Sequence, residues 1–406
     1  MLSDHTSRTG VHHHRLLPDL ATLTSPSSAV RPHSRRALRG SRTASFRSLR
    51  RSQGVALIIA LLVAGIVATL VVAMSRDFNL NYRRSANAAI AEQTWLYLRG
   101  TEELAALALT IDHDADQASG AGSGEGRDDL TEVWAQPQEY PLDEGGFLSG
   151  FVIDLQGRFN LHTMIASDSP SDGGAQAATA SEQYSESQRM FVRLLQSLPG
   201  IEVDEFEARA IADATIDWLD TDENPRLNGA ESAFYGALDP AYRTPNMPIT
   251  SVSELRAVSG MRPDIFESLQ HFVTAWPQQA SEINIHTATV PVLRTLNPDQ
   301  GFTPLSEDQA MAIWERRRSQ PFEDLEAFFQ QELFVGGAGS QFRPLLTESS
   351  KSFLLASMVE IDDRQRHMYS WLSREGRLVR VLQRREATQT EFLVTEVLVK
   401  AELVAP

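Results

Sequence analysis

Residues 55 to 74 read VALIIALLVAGIVATLVVAM, twenty in a row without a charge. As a helix such a run rises about 30 Å, the thickness of a bilayer's hydrocarbon core, and in that medium only a helix satisfies its own backbone polar groups. The segment is therefore expected to span a membrane once. Arg47, Arg50 and Arg51 stand just before it, while Arg76 and Asp77 follow, so the basic excess keeps the N-terminus in the cytoplasm and the bulk of the chain on the far side. The run does not close on the A-x-A-like cleavage site of a secretory signal. It continues instead into a polar-faced stretch. There Leu80, Ile90, Leu96, Leu98, Leu104, Leu107 and Leu109 recur with Gly100 as the only breaker, which predicts one helix from 55 to about 110. A rod of this kind suits packing beside other rods, and an ordinary single-pass anchor has the same spacing.

Charge is divided unevenly about that segment. Residues 1–54 carry ten arginines against Asp4 and Asp19, a balance of +8, so the remainder of a chain with net charge −16 holds −24. A basic leader and an acidic exported body fit this asymmetry, which argues against nucleic acid as the body's partner. The chain has no cysteine. An exported domain without disulfides is held by packing or by metal ions, and the surplus of acid favours a hard cation. The first 45 residues, with His12 to His14, show no apolar period and read as disordered or as an overextended gene start. A histidine run without spaced partners is a weak metal site.

Beyond the long helix, residues 113–129 are rich in Gly, Ser and Asp and read as a loop. FLSGFVIDL at 147–155, a Gln156-Gly157 turn and RFNLHT at 158–163 predict a strand pair. Another polar stretch covers 166–181. From 183 to about 345 the periodicity is helical, and most segments open on Ser, Thr or Asp with an acidic residue three positions on, or on Pro in the first turn. From 351 strands return, KSFLLASMVEID, RQRHMYSWLSRE, RLVRVLQRRE after a Glu375-Gly376 turn, and TEFLVTEVLVK at 390–400. The expected organisation is a leader (1–54), a long helix (55–110), a β domain from 111–181 and 346–406, and a helical insertion at 182–345. The fold class is α+β, a long helix against an antiparallel sheet with a large all-α insertion.

The strongest chemical constellation is DWLDTDENPRLNGAE at 217–231. Counting from Asp220, oxygen side chains fall at positions one, three, five, nine and twelve, namely Asp220, Asp222, Asn224, Asn228 and Glu231. That is the ligand spacing of an EF-hand, but position six is Pro225 where the hand needs Gly, and proline's fixed φ excludes the sharp turn. Asp217 lies one helical turn before Asp220 and can aim at the same ion. The expected site is a structural Ca²⁺ centre of different loop geometry, on Asp217, Asp220, Asp222, Asn224, Asn228 and Glu231, with room for a second ion. Crowded acids without cysteine or ligand histidine favour calcium over zinc. A solvated acidic loop is the plain alternative.

Three stretches resemble helix-hairpin-helix units, LQSLPGIEVDEFEARAI, LRAVSGMRPDIFESL, and INIHTATVPVLRTL with the helix that follows. Such units can grip DNA phosphates, but from Ser187 to Trp276 there are seven arginines and no lysine against fourteen acids, which repels phosphate. In the third of these stretches Arg316, Arg317 and Arg318 form a basic cluster, and helix packing accounts for it. The chain has no phosphate-binding glycine loop, HExxH, GxSxG or cysteine nucleophile. His162, His271, His286 and His367 sit in apolar or strand patterns as core or rim residues, and Asn160 and Asn284 are expected to satisfy backbone groups at strand–helix junctions. No catalytic role is expected.

A basic leader ending in Gly54 before an uninterrupted apolar helix resembles the type IV prepilin class. With GRFNLHT (157–163), DWLDTDENPRLNGAESAFY (217–235), PITSVSELRAVSGM (248–261) and INIHTATVPVLRTL (283–296), the chain resembles the type II secretion system minor pseudopilin K family, also called general secretion pathway protein K. The likeness implies a pilin-like fold, cleavage after Gly54 by a prepilin peptidase and methylation of Val55 as the new N-terminus. Most of the class carries Glu at the fifth mature position; here it is Ile59, a departure that K-type members share. A carboxylate in lipid is costly unless paired, and that Glu is thought to pair with a neighbour's terminal amine, so an apolar residue suits the end of a filament. Val55 at the first mature position and a leader of this length depart from the class and put the start codon in doubt. The resemblance favours the calcium reading. It further implies a tip subunit that initiates or caps the periplasmic pseudopilus, anchored once in the inner membrane, with the other minor pseudopilins, the prepilin peptidase and the inner-membrane secretion machinery as partners. The rival is a membrane-tethered DNA receptor.

Overall fold

Helix α1 runs Gln53–Ala118 in the computed structural model, which describes residues 53–118, 126–143, 145–166, 183–362 and 364–403. The leader, apart from its last two residues, lies outside the described residues, and so do 119–125 of the expected loop and 167–182. The helix extends beyond the expected 110 because HDADQA at 113–118 contains neither Gly nor Pro, and because Arg374 Nη1 holds Asp112 Oδ2 at 3.0 Å. The chain divides into two compact units, residues 1–76 and 77–406. In the first, Leu57, Ile58, Leu61 and Leu62 are all more than 60 % exposed, and the helix is long and apolar enough to cross a membrane. Exposed leucine and isoleucine at every turn suit lipid, not water, and fit a single-pass anchor.

In the second unit a five-stranded antiparallel sheet forms from β1 (Gln138–Pro141), β2 (Phe147–Asp154), β7 (Ser352–Ile361), β8 (Arg364–Glu375) and β9 (Leu378–Ala387), in the order β1-β2-β7-β8-β9. Alternation decides its faces. Val152, Phe353, Leu355 and Leu372 pack with Ala105 and Leu109 of α1, while Phe151, Ile153, Leu354, Ala356 and Tyr369 pack with Phe392. That second face is covered by α10 (Gln389–Leu403), where the alternating pattern predicts a strand. Two facts favour the helix. Thr388 and Glu391 form a reciprocal cap, Glu391 N donating to Thr388 Oγ1 at 3.2 Å and Thr388 N to Glu391 Oε2 at 2.8 Å. Phe392, Thr395 and Val399 then meet the sheet at helical spacing, with Tyr369 Oη 2.7 Å from Thr395 Oγ1.

The expected hairpin at 147–163 does not form. Residues 155–157 make a 3-10 turn, β3 (Phe159–Asn160) pairs in parallel with β4 (Val273–Thr274), and the neighbours of β2 are β1 and β7. Asp154 redirects the chain. Its buried carboxylate accepts from Gln156 N at 2.7 Å, Asn284 Nδ2 at 3.1 Å and Ser350 Oγ at 2.6 Å, and from Thr287 Oγ1. Asn284, Thr287 and Ser350 lie 130, 133 and 196 residues further along the chain, which no local pattern announces.

Because β2 and β7 are paired neighbours, everything between them is an insertion. It contains α2 (Thr163–Ala166), α3 (Glu186–Leu195), α4 (Glu205–Leu219), α5 (Ser232–Tyr235), α6 (Pro263–Leu269), α7 (Val290–Leu293), α8 (Glu307–Ser319) and α9 (Leu325–Phe329). A second parallel pair joins β5 (Ile283–Asn284) to β6 (Leu346–Thr347). Phe159, Leu161 and Met164 share one core with Phe191, Ile211, Leu255, Ile265, Leu293 and Phe328, so the insertion begins at the end of β2, ahead of residue 182. Asn160 and Asn284 do bind backbone at its two entrances. Asn160 Nδ2 donates to Pro277 O at 3.1 Å and Gln279 O at 2.8 Å, and Asn284 Nδ2 to Asp128 O at 3.0 Å.

The sheet also fixes where the insertion emerges. Leu98 of α1 packs with Leu148, and Ala105 and Leu109 pack with Val152, so β2 runs in the direction of α1. The insertion therefore leaves the sheet at the level of α1's C-terminal end. Four of its helices, α3, α4, α8 and α9, start on the side-chain caps Ser185, Asp204, Ser306 and Asp324. Asp204 Oδ1 accepts from Glu207 N at 2.8 Å, and Asp204→Ala is expected to lower stability by about 1 kcal/mol, read as a lower urea midpoint for the detergent-solubilised chain with unchanged slope.

Candidate metal centre

Helix α4 ends where its last carboxylates cluster. Asp217 lies in the final turn and Asp220 is the C-cap, its N–H donating to Ile216 O at 2.8 Å, so a three-residue spacing puts both side chains on one face. The loop returns at Glu231, the residue before α5. Asp217, Asp220 and Glu231 each offer a carboxylate oxygen within 4.8 Å of the others. Calcium–oxygen bonds are about 2.4 Å long, so two oxygens on one ion lie no more than about 4.8 Å apart, and this trio fits one Ca²⁺.

Electrostatics supports the fit. Asp217 is fully buried and accepts Arg226 N at 3.2 Å on each oxygen. Burial pushes its carboxyl up to about 7, against the Arg226 amide, with Glu231 and Asp220 pushing the same way. Glu231 is raised by burial, then by Asp220 and Glu223. Its Oε2 takes a 3.4 Å bond from Thr244 Oγ1, while Oε1 is buried with no hydrogen-bond partner. A buried carboxylate oxygen without a donor is costly, and a cation would satisfy it. The loop is cut to this shape, since a Cβ at Gly229 would lie 1.9 Å from Asp217 Oδ2. Edge contacts of Trp218 with Tyr235 at 5.3 Å and Tyr242 at 6.3 Å brace the loop's ends.

Three of the six residues expected to bind metal thus converge. Asp222 and Asn224 lie in an exposed turn, where Asn224 N donates to Asp222 Oδ1 at 2.7 Å. Asn228 turns to Asp213, donating to Oδ2 from N at 3.3 Å and from Nδ2 at 3.2 Å. Gly229 and Thr244 were not anticipated. A glycine between two ligands is a usable signal for the first, and Thr244 has none.

Gly54 and Val55 lie in the opening turn of α1. Arg317 is buried and donates to Ile285 O at 3.0 Å and Ala288 O at 2.7 Å, and Arg316 and Arg318 lie over Phe322 and Trp314. The basic cluster is engaged in packing. Burial lowers His162 and His367, and takes His271 down to about 4 and His286 down to about 3, so the last two are neutral at pH 7.

Two family models, both described as type II secretion system (T2SS) protein K, match residues 157–278 and 283–347. A type II secretion system protein K of Pseudomonas aeruginosa is 31 % identical over 329 residues, covering 80 % of this chain and 90 % of that protein. One from Pectobacterium carotovorum is 28 % identical over 338 residues, covering 82 % and 96 %. Among solved structures, the GspK-GspI-GspJ complex of the enterotoxigenic Escherichia coli type 2 secretion system contains a chain with the same fold. The TM-score is 0.61 at 24 % identity, over 75 % of this chain and 100 % of that one.

Proposed function

This chain belongs to the type II secretion system protein K family, and on that premise we propose that it is the minor pseudopilin that initiates or caps the tip of a periplasmic pseudopilus. Its leader is removed between Gly54 and Val55, Val55 is methylated, and the apolar half of α1 sits in the inner membrane with its N-terminus in the cytoplasm and the body in the periplasm. The role is structural, not enzymatic. The observation that carries the tip placement is the exit of the insertion from β2 at the level of α1's C-terminal end. A subunit stacked beyond that end of a helical filament would collide with it. Ile59 agrees, since it offers no carboxylate to a neighbour's terminal amine.

The partners are the other minor pseudopilins, as the Escherichia coli complex of GspK with GspI and GspJ suggests. α1 and the exposed edge strand β1 offer side-by-side and strand-edge packing. The Asp217 centre holds Ca²⁺ through Asp217, Asp220 and Glu231, and Asp222, Asn224, Asn228 and water are candidates for the remaining oxygens of a six- to eight-coordinate ion. Bound there, calcium neutralises the carboxylates that close the loop after α4. The DNA-receptor reading has no support, because the basic cluster of the helix-hairpin-helix stretches, Arg316 to Arg318, is spent on packing. Mass spectrometry of the protein from cells that possess the prepilin peptidase tests the assignment. A methylated Val55 at the N-terminus is expected, and an intact leader would refute it.

A further inference from the structure

We propose that Asp112, Asp128 and Glu132 form a second, separate divalent-cation site of the calcium class, at the end of α1 against the sheet. Asp112 lies on α1, Asp128 in the segment that follows, and Glu132 just before a 3-10 turn at Val133–Ala135. One carboxylate oxygen of each lies within 4.8 Å of the others, the spacing that two oxygens about 2.4 Å from a shared calcium ion cannot exceed. Proximity alone would describe many acidic surfaces. This cluster differs because Asp128 is wholly buried and its Oδ1 has no hydrogen-bond partner. Its other oxygen is well provided for, accepting Ser350 N at 2.6 Å and Arg374 Nη2. A carboxylate oxygen sealed from water without a donor is among the more costly arrangements a fold can hold, and a cation removes the cost.

The local charge agrees. Arg374 of β8 is the guanidinium paired with the trio, bridging Oδ2 of Asp128 and Oδ2 of Asp112. Arg127 is turned to Asp129, Nε to Oδ2 at 3.0 Å. Three carboxylates share one guanidinium, a surplus of negative charge that a divalent ion would offset. The donors are all oxygen, which excludes a thiolate or imidazole metal, and their irregular origin on three chain segments suits calcium better than the strict octahedron of magnesium. An ion there would clamp α1 to the segment whose Asp128 carbonyl accepts Asn284 Nδ2, at one entrance to the insertion. It shares no residue with the Asp217 centre and does not depend on it.

Each centre has its own tryptophan, which makes a test possible. Trp134 Nε1 donates to Glu132 Oε2, and Trp218 neighbours Asp217. The full chain in detergent, stripped of divalent ions with a chelator, would be titrated with Tb³⁺ under tryptophan excitation and with Ca²⁺ by equilibrium dialysis. Trp134→Phe is expected to remove one component of the sensitised emission, and Trp218→Phe to leave that component in place. Asp128→Asn is expected to lower the bound Ca²⁺ by one, and Asp217→Asn to leave that ion bound. Glu132→Gln, on a partly exposed side chain, keeps the test sound should Asp128→Asn not fold, and is expected to weaken this ion about tenfold or more through the lost ligand charge. The proposal is overturned if Glu132→Gln binds as many ions as tightly as the unaltered chain, or if Trp134→Phe leaves the emission unchanged.

Discussion

Gly54→Leu is expected to leave the protein at precursor size in the inner membrane and to abolish secretion through the system it serves. A Cβ at Gly54 meets nothing within 4 Å, and leucine is a good helix former, so the substitution leaves the fold alone and isolates the effect to processing. An uncut leader keeps ten arginines covalently tied to the anchor. Those charges hold the helix end at the cytoplasmic face by attraction to anionic lipid, about 1 kcal/mol each near the surface, and deny Val55 a free amine. Such a helix could not be drawn into a bundle with like helices. Immunoblotting reads the size and exoprotein activity in the medium reads secretion. Gly65→Ala, equally open around its Cβ, is the control and should change neither. A mature-sized product with Gly54→Leu, or undiminished secretion from the precursor, would contradict the assignment.

Much of the fold was legible where one local signal was sufficient. The apolar run and the leucines beyond it define α1, alternating residues between the turns define β7, β8 and β9, and Ser185, Asp204, Ser306 and Asp324 announce their helices. The failures share a cause. TEFLVTEVLVK alternates well enough for a strand, but the exposed apolar face of β2, β7 and β8 needs a cover, and Phe392, Thr395 and Val399 provide it only as a helix. The Thr388–Glu391 capping box was present in the sequence as the competing signal. RFNLHT was taken from its hairpin by the ring of donors around Asp154, and its strand partner β4 comes from over a hundred residues away. β1, four exposed residues containing a proline, carries almost no pattern.

The site divides in the same way. Asp217, Asp220 and Glu231 were legible because helical spacing and a loop of fixed length bring them together. Asn228 was assigned by counting along an EF-hand template, yet its amide turns to Asp213, a residue on the preceding helix that the template ignores. The Asp112 cluster was invisible, since its acids lie on separate elements and its guanidinium arrives from β8.

Without divalent ions, the second unit is expected to lose stability as pH rises from about 4 to 7, and with Ca²⁺ to gain it. The sign follows from Asp217. Its carboxyl is pushed up to about 7 in the fold against an ordinary 3.8, so between those values the folded chain binds more protons than the unfolded one. Stability then falls with rising pH across that window, and Glu231, raised in the same direction, adds to the slope. Calcium competes with those protons, so its contribution grows over the same range. At a hundred times its dissociation constant it adds about 2.7 kcal/mol, a rise in melting temperature of roughly 5 °C for a body of this size. Asp217→Asn separates this from a merely structural carboxylate. Removing a like charge from beside Asp220 and Glu231 should make the variant more stable than the parent in chelator at pH 7, while cancelling most of the gain from Ca²⁺. Melting curves of the full chain in detergent, at pH 4.5 to 8 with chelator and with calcium, read both effects. A parent insensitive to calcium, or a variant less stable than the parent in chelator and equally responsive to the ion, would remove the centre's assigned role.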